Sequence, residues 1–291
     1  MQENRIHRRA LRIAASTTGV VLLITAAVVL STSGGVRQGQ TTSQRLTPVQ
    51  SEIEKQRVRL SSAVAEDRRE ALTRLGSMRH PAASRVALSA LSDPSPMVRS
   101  TAAMSVLFLP AEESVVSLLP LLGDKDEFVR QQVAYALGQT GSRAAINALI
   151  ERLADKRDSV RGAAAVALGQ IGDDVAVTPL AVILNPQSGL TQGKKNQKSK
   201  KERNPFVLRA AAHSLGEIGN RAAVPALLVV LQDEKAEDDV RREAAFALGE
   251  VGDTLAMPAL RDALTARDPY LSQAAQEAIR RISRLQNGGK I

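Results

Sequence analysis

The chain of 291 residues contains no cysteine and no tryptophan, and aromatic residues make up only 2% of it. Without cysteine it forms no disulfide, no thiolate metal site and no cysteine nucleophile. The hydrophobic content of 44% is enough to fill the core of one large domain or two small ones. Because aromatic rings are so rare, that core has to consist of Ala, Val, Leu and Ile, which favours closely packed helices.

Side chains able to do chemistry are also scarce. The chain holds three histidines, and no HExxH motif, nucleophile elbow, phosphate-binding loop or metal-ligand spacing occurs. His213 falls in a helical column that is mostly apolar elsewhere, which favours a packed or half-exposed helix residue over a ligand. The acidic pairs Asp173-Asp174 and Asp238-Asp239 stand at helix starts, where they favour the helix dipole. We therefore predict that the chain is not an enzyme, and we expect no cofactor and no metal.

The formal net charge of +9 is concentrated in two places. Residues 1–12 contain four arginines against one glutamate, and the stretch 186–205 contains six basic residues against one glutamate. The rest of the chain is close to neutral, so the basic balance does not describe a binding face for nucleic acid, and nucleic acid is not the expected partner.

A run of 24 residues without Asp, Glu, Lys or Arg, 13–36, follows the basic N-terminus. About 20 apolar residues cross the hydrocarbon core of a bilayer, and the arginines before the run favour a cytoplasmic N-terminus. We predict a cytoplasmic tail at 1–12, a transmembrane anchor at 13–33 and a flexible linker at 34–47. The chain is then a single-pass protein of a bacterial inner membrane with a periplasmic body. The alternative is a signal peptide cleaved before Gly34, which leaves the body periplasmic or secreted.

An internal repeat is the strongest signal in the chain. Similar strings, such as VRQQVAYALGQTG from Val129 and VRREAAFALGEVG from Val240, recur at steps of 31 or 33 residues. One step of 47 residues contains the basic stretch. We call the first position of each string its anchor. The seven anchors are Asp67, Val98, Val129, Val160, Val207, Val240 and Leu271.

The repeated pattern predicts two helices in each unit. A capping residue three positions before the anchor starts the first helix, and in Asn204-Pro205 it is followed by proline. A glycine nine positions after the anchor, such as Gly169, is predicted to end that helix in the left-handed conformation, and Gly172 to tighten the turn. An apolar second helix then returns antiparallel to the first. Because one unit cannot bury both of its faces, we expect the units to stack around a continuous core.

The pattern VRxxAAxALGxIG followed by AVPxL resembles HEAT repeats, in the short form of phycobilisome-lyase-type HEAT-like proteins, over about residues 65–285. The resemblance implies an all-α superhelical solenoid of antiparallel helix pairs, which we expect over 48–291 with a loop insertion at 186–205. It also implies a ladder of hydrogen bonds between neighbouring units, formed by acidic and basic residues six positions apart. These pairs are Asp93 with Arg99, Asp124 with Arg130, and Asp155 with Arg161. Leu107 replaces the helix-ending glycine of an inner unit and departs from the pattern.

From this fold we predict a non-catalytic scaffold that binds a protein or peptide on its concave surface, lined by the second helices. One alternative is a lyase-like enzyme, since some phycobilisome-lyase-type proteins attach bilins to proteins. Another is an electrostatic tether, in which the insertion contacts anionic lipid or an acidic partner rather than forming a merely solvated loop. Its basic residues are Lys194, Lys195, Lys198, Lys200, Lys201 and Arg203.

Overall fold

The computed structural model describes residues 46–185, 202 and 204–288, and within these residues the chain is helical without a strand. After α1 (Pro48–Arg59) the helices alternate between the two kinds that the repeat predicts. The first helices are α2 (Ala65–Ser77), α4 (Pro96–Ser105), α6 (Glu127–Thr140), α8 (Asp158–Ile171), α10 (Pro205–Ile218), α12 (Asp238–Val251) and α14 (Pro269–Gly288). The second helices are α3 (Pro81–Ala87), α5 (Ala111–Leu118), α7 (Ile146–Arg152), α9 (Val177–Leu184), α11 (Val224–Gln232) and α13 (Met257–Ala263).

Each first helix packs against the first helices next to it in the stack, and from α4 onward it also packs against the second helix that precedes it in the chain. The predicted solenoid of stacked helix pairs is thereby confirmed for the described residues. Short 3₁₀ segments extend the second helices, after α3 and α5 and before α7, α9, α11 and α13. Because successive first helices pack against one another, they form one continuous layer, and the residues they expose form a continuous surface.

The starts of the first helices follow from their capping side chains. The carboxylate of Asp126 accepts the backbone N–H groups of Phe128 and Val129, and the Asn204 amide oxygen does the same at α10. Ser95 was expected to cap α4 in this way, but its side chain makes no capping bond. Asp93 instead accepts the Ser95 N–H at 2.8 Å. Asp93, two positions before the cap, is also part of the candidate site described below.

The two glycines of each turn have the opposite roles from those predicted. Gly169 lies inside α8, and the left-handed residue is Gly172, with φ of 71°. The corresponding second glycines of α6, α10 and α12 also have positive φ. Gly216 is buried in α10, where a Cβ atom would lie 2.9 Å from Cα of Ala247 on α12. The first glycine thus permits close approach of the next helix, and the second one ends its own helix.

Helix α4 is shorter than its counterparts, and Leu107 stands where they have the glycine that faces the next helix. It ends at Ser105, and Val106 stays in the right-handed region. The core beneath is built from alanine, valine, leucine and isoleucine, and none of its fully buried hydrophobic side chains in the described residues is aromatic. The expectation of an aliphatic core is met by alanines such as Ala164 and Ala211, which are fully buried between neighbouring helices.

No helix in the described part of the chain is long and apolar enough to cross a membrane. The predicted location at the inner membrane, with a periplasmic solenoid, is contradicted by this finding. The tail at 1–12 and the anchor at 13–33 lie outside the described residues, as do residues 34–45 of the linker. The basic residues predicted to contact an anionic partner, from Lys194 to Arg203, lie outside them too.

Candidate functional site

Arg99 joins two neighbouring units through all three of its guanidinium nitrogens. Nε and Nη2 donate to the two carboxylate oxygens of Asp124, in the next unit, at 2.7 and 2.8 Å. Nη1 donates to the backbone carbonyl of Asp93, six positions before Arg99, at 2.7 Å. The two residues of a predicted pair thus meet through a main-chain oxygen, and the ion pair links the arginine to the following unit.

The same rung occurs four times along the stack. Each joins an arginine one position after an anchor to an acidic residue of the next unit. The ion pairs are Arg68 with Asp93, Arg99 with Asp124, Arg130 with Asp155, and Arg161 with Glu202. Their side chains are almost fully buried, so bidentate geometry and low solvent exposure make these contacts stronger than ordinary surface ion pairs.

Sequence reasoning missed two members of the ladder, Arg68 and Glu202. The insertion hides Glu202, since it displaces this residue from the spacing of 25 positions that holds for the other rungs. A local signal was available, because Glu202 stands two positions before the cap Asn204, as Asp93 does before Ser95. In both places the carboxylate also accepts the N–H of the capping residue.

The ladder stops at α10, where the arginine of the next rung is absent. Leu208 occupies the arginine position of that unit, whereas Asp233, 25 positions further on, accepts the N–H of Lys235 as Asp93 accepts that of Ser95. In the following unit Arg241 occupies the arginine position, but Ala266 stands where its acidic partner would be. Its Nε donates instead to the backbone carbonyl of Leu231 at 3.1 Å. The ladder therefore fastens the units up to α10, and those beyond rely on apolar packing and exposed ion pairs.

Burial and hydrogen bonding act in opposite directions on the ladder carboxyl groups. Burial raises the pKa of Asp124 and Asp155, but hydrogen bonds from Arg99 or Arg130 and from a backbone N–H outweigh it, so both pKa values lie below the ordinary range. For Asp93 the hydrogen bond from Arg68 is the largest effect and lowers the pKa. The carboxyl groups are thus held as anions.

The face of the first helices that points away from the second helices carries most of the aromatic residues. The chain has four phenylalanines and two tyrosines. Five of these six lie one position before or six positions after an anchor, which places them on one side of the first helices. We call this surface the first-helix face. The exposed side chains in these two columns include Met97 (50%), Phe128 (41%), Phe206 (38%), Phe246 (48%) and Tyr270 (64%).

The C-terminal half of the first-helix face, on α10, α12 and α14, is charged. Arg209 binds Asp239 at 2.9 Å, and His213 binds Glu243 at 2.8 Å, each across to the next helix. His213 is half-exposed, as expected from its column. Arg242 lies over the ring of Tyr270 at 5.6 Å in a shallow groove of about 390 Å³.

The preceding half, on α4, α6 and α8, is uncharged beyond the first turn of each helix, whereas α2 before it carries Glu66 and Arg69. Its outward positions carry methionine, phenylalanine, tyrosine, valine, serine, threonine and glutamine. We call this half the neutral strip. It consists of Met97, Thr101, Met104, Phe128, Gln131, Gln132, Tyr135, Gln139, Ser159, Val166 and Gln170, with the Phe206 ring of α10 at its border. In a chain with 24% charged residues, three successive helices without an exposed charge beyond their first turns form a distinct surface.

The described residues contain no group of His, Cys, Asp or Glu able to hold a metal ion. Asp173 accepts the backbone N–H of Val175 and pairs with Arg143, which agrees with a capping role. Asp239 pairs with Arg209, and Asp238 lies 3.9 Å from Arg241. Neither acidic pair faces a second carboxyl group across a cleft, so the geometry here is that of helix ends and ion pairs.

Comparison with known proteins agrees with this geometry. A family model described as HEAT repeats matches residues 56–136, 115–192 and 197–280. No curated protein matches the sequence. Among solved structures, the X-ray structure of YibA from Escherichia coli is similar, with a TM-score of 0.55 and 21% identity over 81% of this chain and 82% of the other. At this identity the likeness shows the fold alone.

Two enzymes are also among the similar solved structures. The complex of CpcE and CpcF of phycocyanin lyase from a Nostoc species has 21% identity and a TM-score of 0.49, over 88% of this chain and 98% of the other. Human deoxyhypusine hydroxylase has 19% identity and a TM-score of 0.41, over 80% and 84%. The prediction that the chain is not an enzyme is contradicted by the presence of these enzymes among the similar structures, whose low identity assigns no activity to this chain. A lyase-like activity stays a prediction to which no described residue is assigned.

Proposed function

Since the chain belongs to the HEAT-repeat family, we propose that it is a scaffold for protein–protein interaction whose partner binds the first-helix face. The observation that carries this proposal is the distribution of aromatic residues. The buried core of the described residues contains none, although burial is where a large apolar ring gains most free energy. Five of the six stand on the first-helix face instead. Aromatic residues and methionine are enriched at the centres of protein interfaces.

The second helices are a weaker candidate, although the sequence pattern favoured them. Their largest exposed hydrophobic side chains include Val116 on α5 and Val229 on α11. These two lie in units separated by α7 and α9, whose exposed positions include Asn147, Glu151 and Thr178. Isolated apolar residues on a surface are ordinary. A continuous set that spans neighbouring helices favours a binding surface.

The ladder supports this proposal by fixing the spacing of the first helices. A partner that bridges several units gains affinity only when its contact points are already in place. Buried rungs such as Arg130 with Asp155 hold each helix in register with the next. The ladder residues thus act as a rigid support for the surface, and they do not themselves contact the partner.

Photo-cross-linking tests the location of the surface. A photoreactive amino acid is placed at Phe128, Phe206 or Phe246 in the full chain, and at Val116 or Val229 as matched exposed controls. We expect an adduct of one mass from the first-helix positions, in an extract of the cells that make the protein, and none from the controls. Adducts from the controls alone, or equally from both sets, would contradict the proposal.

The basic residues of 186–205 support a second, separate proposal by their charge, a contact with an anionic partner. Deletion of 187–201 tests it and leaves Glu202 in place for the ladder. If the adducts at the first-helix positions persist after the deletion, the insertion does not contribute to this binding. Loss of the adducts in a folded deletion variant would show that the insertion is the contact.

A further inference from the structure

The neutral strip differs from the rest of the surface in its free amide groups. Gln131, Gln132, Gln139 and Gln170 make no side-chain hydrogen bond to the described residues. Each amide offers donors and an acceptor, as a peptide backbone does. The strip therefore presents unused hydrogen-bonding groups among exposed and half-buried apolar side chains, which is the chemistry that recognises a polypeptide main chain.

The lack of charge on the strip limits which partner can bind there. Beyond the first turn of α4, α6 and α8 no exposed position is charged. The exposed charges of these helices, Glu127 and Asp158, lie at their N-terminal ends, where Glu127 pairs with Arg157 and Asp158 accepts a hydrogen bond from the Asn204 amide. A charged partner side chain buried against this surface would lose its hydration without gaining a counter-charge. The complementary partner is consequently uncharged over the length that contacts the strip.

The geometry of the strip resembles a trough that runs across the helices. One column of apolar side chains contains Met97 and Phe128, and a second, seven residues further along each helix, contains Met104 and Tyr135. Seven residues of α-helix correspond to about 10 Å. The amides of Gln131 and Gln132 belong to the turns between the columns, so a single extended chain fits along the trough with its backbone over these amides.

Gly162 makes room for the aromatic ring at the border of the trough. A Cβ atom at this position of α8 would lie only 2.0 Å from Cε1 of Phe206. The absence of a side chain thus lets the ring of Phe206 lie over α8 and extend the column that begins with Met97. Phe206 stays 38% exposed in this position, so the ring remains available to a ligand.

The spacing of the helices selects the conformation of that chain. Packed helices lie about 8–10 Å apart, and three residues of polyproline II helix advance about 9 Å and return to the same side of the peptide. In a β-strand, residues three apart point to opposite sides. Only the polyproline II form therefore brings every third side chain down between successive first helices.

On the basis of the proposed function, we propose that the neutral strip binds an uncharged polypeptide segment in the polyproline II conformation, with an apolar side chain at every third residue. The apolar side chains enter the spaces between α4, α6, α8 and α10, and the glutamine amides bind the peptide backbone. A charged segment of the same length does not bind, because the strip offers it no opposite charge.

Calorimetry with synthetic probes tests this proposal on the full chain. The probe is a capped peptide of about twelve residues, ~37 Å long at 3.1 Å per residue, that repeats leucine, proline and glutamine. Two further probes replace the leucines by aspartate or by lysine. We expect saturable binding of the neutral probe, and an affinity at least about tenfold lower for both charged probes, a change of ~1.4 kcal/mol.

Variants separate the strip from the rest of the surface. Gln131→Ala with Tyr135→Ala should weaken the neutral probe at least tenfold, and the matched pair Gln232→Ala with Val229→Ala on α11 should not. Gln131→Ala with Gln132→Ala is the alternative if the first pair disturbs folding, since these amides make no hydrogen bond to the described residues. Equal binding of charged probes, no binding of any probe, or binding unchanged in the strip variants overturns the proposal.

If adducts still form at Phe128 while the neutral probe fails to bind, only the peptide chemistry is wrong and the proposed surface stands.

Discussion

The guanidinium group of Arg161 binds the carboxylate of Glu202, 41 residues further along the chain, at 2.6 Å through Nε and 3.1 Å through Nη2. The preceding three rungs span 25 residues. The same carboxylate accepts the N–H of Asn204, the residue that caps α10. One side chain thus carries the ladder across the insertion and also fixes the start of the next first helix.

Glu202→Gln should therefore destabilise the stack at the junction of α8 and α10. The substitution leaves the Arg161 guanidinium without a counter-charge in a largely buried place, and a hydrogen bond to a charged group contributes about 1.5–3 kcal/mol. Thermal melting measures the loss, and hydrogen exchange of the first turn of α10 locates it. Glu234→Gln, at an exposed position, should change the free energy of unfolding by less than about 0.5 kcal/mol. Equal effects of the two substitutions would remove Glu202 from the ladder.

Arg130→Ala tests an interior rung. It leaves the buried carboxylate of Asp155 without its cation, and breaking a buried ion pair costs roughly 3–5 kcal/mol. Arg157→Ala is the matched control, because the Arg157 side chain is 57% exposed and its ion pair with Glu127 lies in solvent. Urea unfolding compares the two. A midpoint that Arg130→Ala leaves unchanged is incompatible with a stabilising ladder.

The ladder also predicts loss of stability in acid. The pKa values of Asp93, Asp124 and Asp155 are lowered in the folded chain, so between the folded and unfolded pKa values the unfolded state binds more protons. Their contribution is complete above the unfolded pKa of about 3.9 and is lost as the pH falls through the lower folded values. Urea unfolding at several pH values, from about 6 down to about 2.5, measures how steeply the free energy of unfolding falls with pH. Asp124→Asn should reduce that slope, and an unchanged slope would contradict the assignment.

Gly216→Ala tests the close approach of α10 and α12. The new methyl group would meet the backbone of Ala247 at 2.9 Å, so the helices must separate, and overpacking costs about 1–3 kcal/mol. Gly123→Ala is the control, since a Cβ atom there has no neighbour within 4 Å. Chemical denaturation of both variants gives the comparison. A Gly216→Ala protein as stable as the control would show that the packing at this glycine is not tight.

The sequence predicted the elements of the fold well because the repeat supplies several copies of each signal. Caps such as Asn204 act within a few positions of the chain, so a local pattern reveals them, whereas the left-handed residue was expected at Gly169 and lies at Gly172. The role of Gly169 was assigned wrongly, because its function depends on a neighbouring helix. Glu202 was missed for a similar reason, since its partner lies in the previous unit across the insertion.

The candidate site was harder to predict than the fold. Phe128, Phe206 and Tyr270 are visible in the sequence one position before their anchors, but the sequence does not say that these positions face solvent while alanines fill the core. The second helices, apolar in pattern, were therefore chosen as the binding surface. Their apolar residues are mostly buried against the first helices.

The amino-acid sequence by itself determined that this chain forms a stack of helix pairs, because the alternation of caps, apolar positions and glycines acts locally and recurs in most of the seven units. It also determined an aliphatic core, since almost no aromatic residue is available. Only the tertiary structure decided which glycine ends a helix and which admits a neighbour, and which acidic residue faces each arginine. It also decided that the rings lie outside the core. These properties depend on contacts between units, and such contacts exist only once the helices are packed side by side.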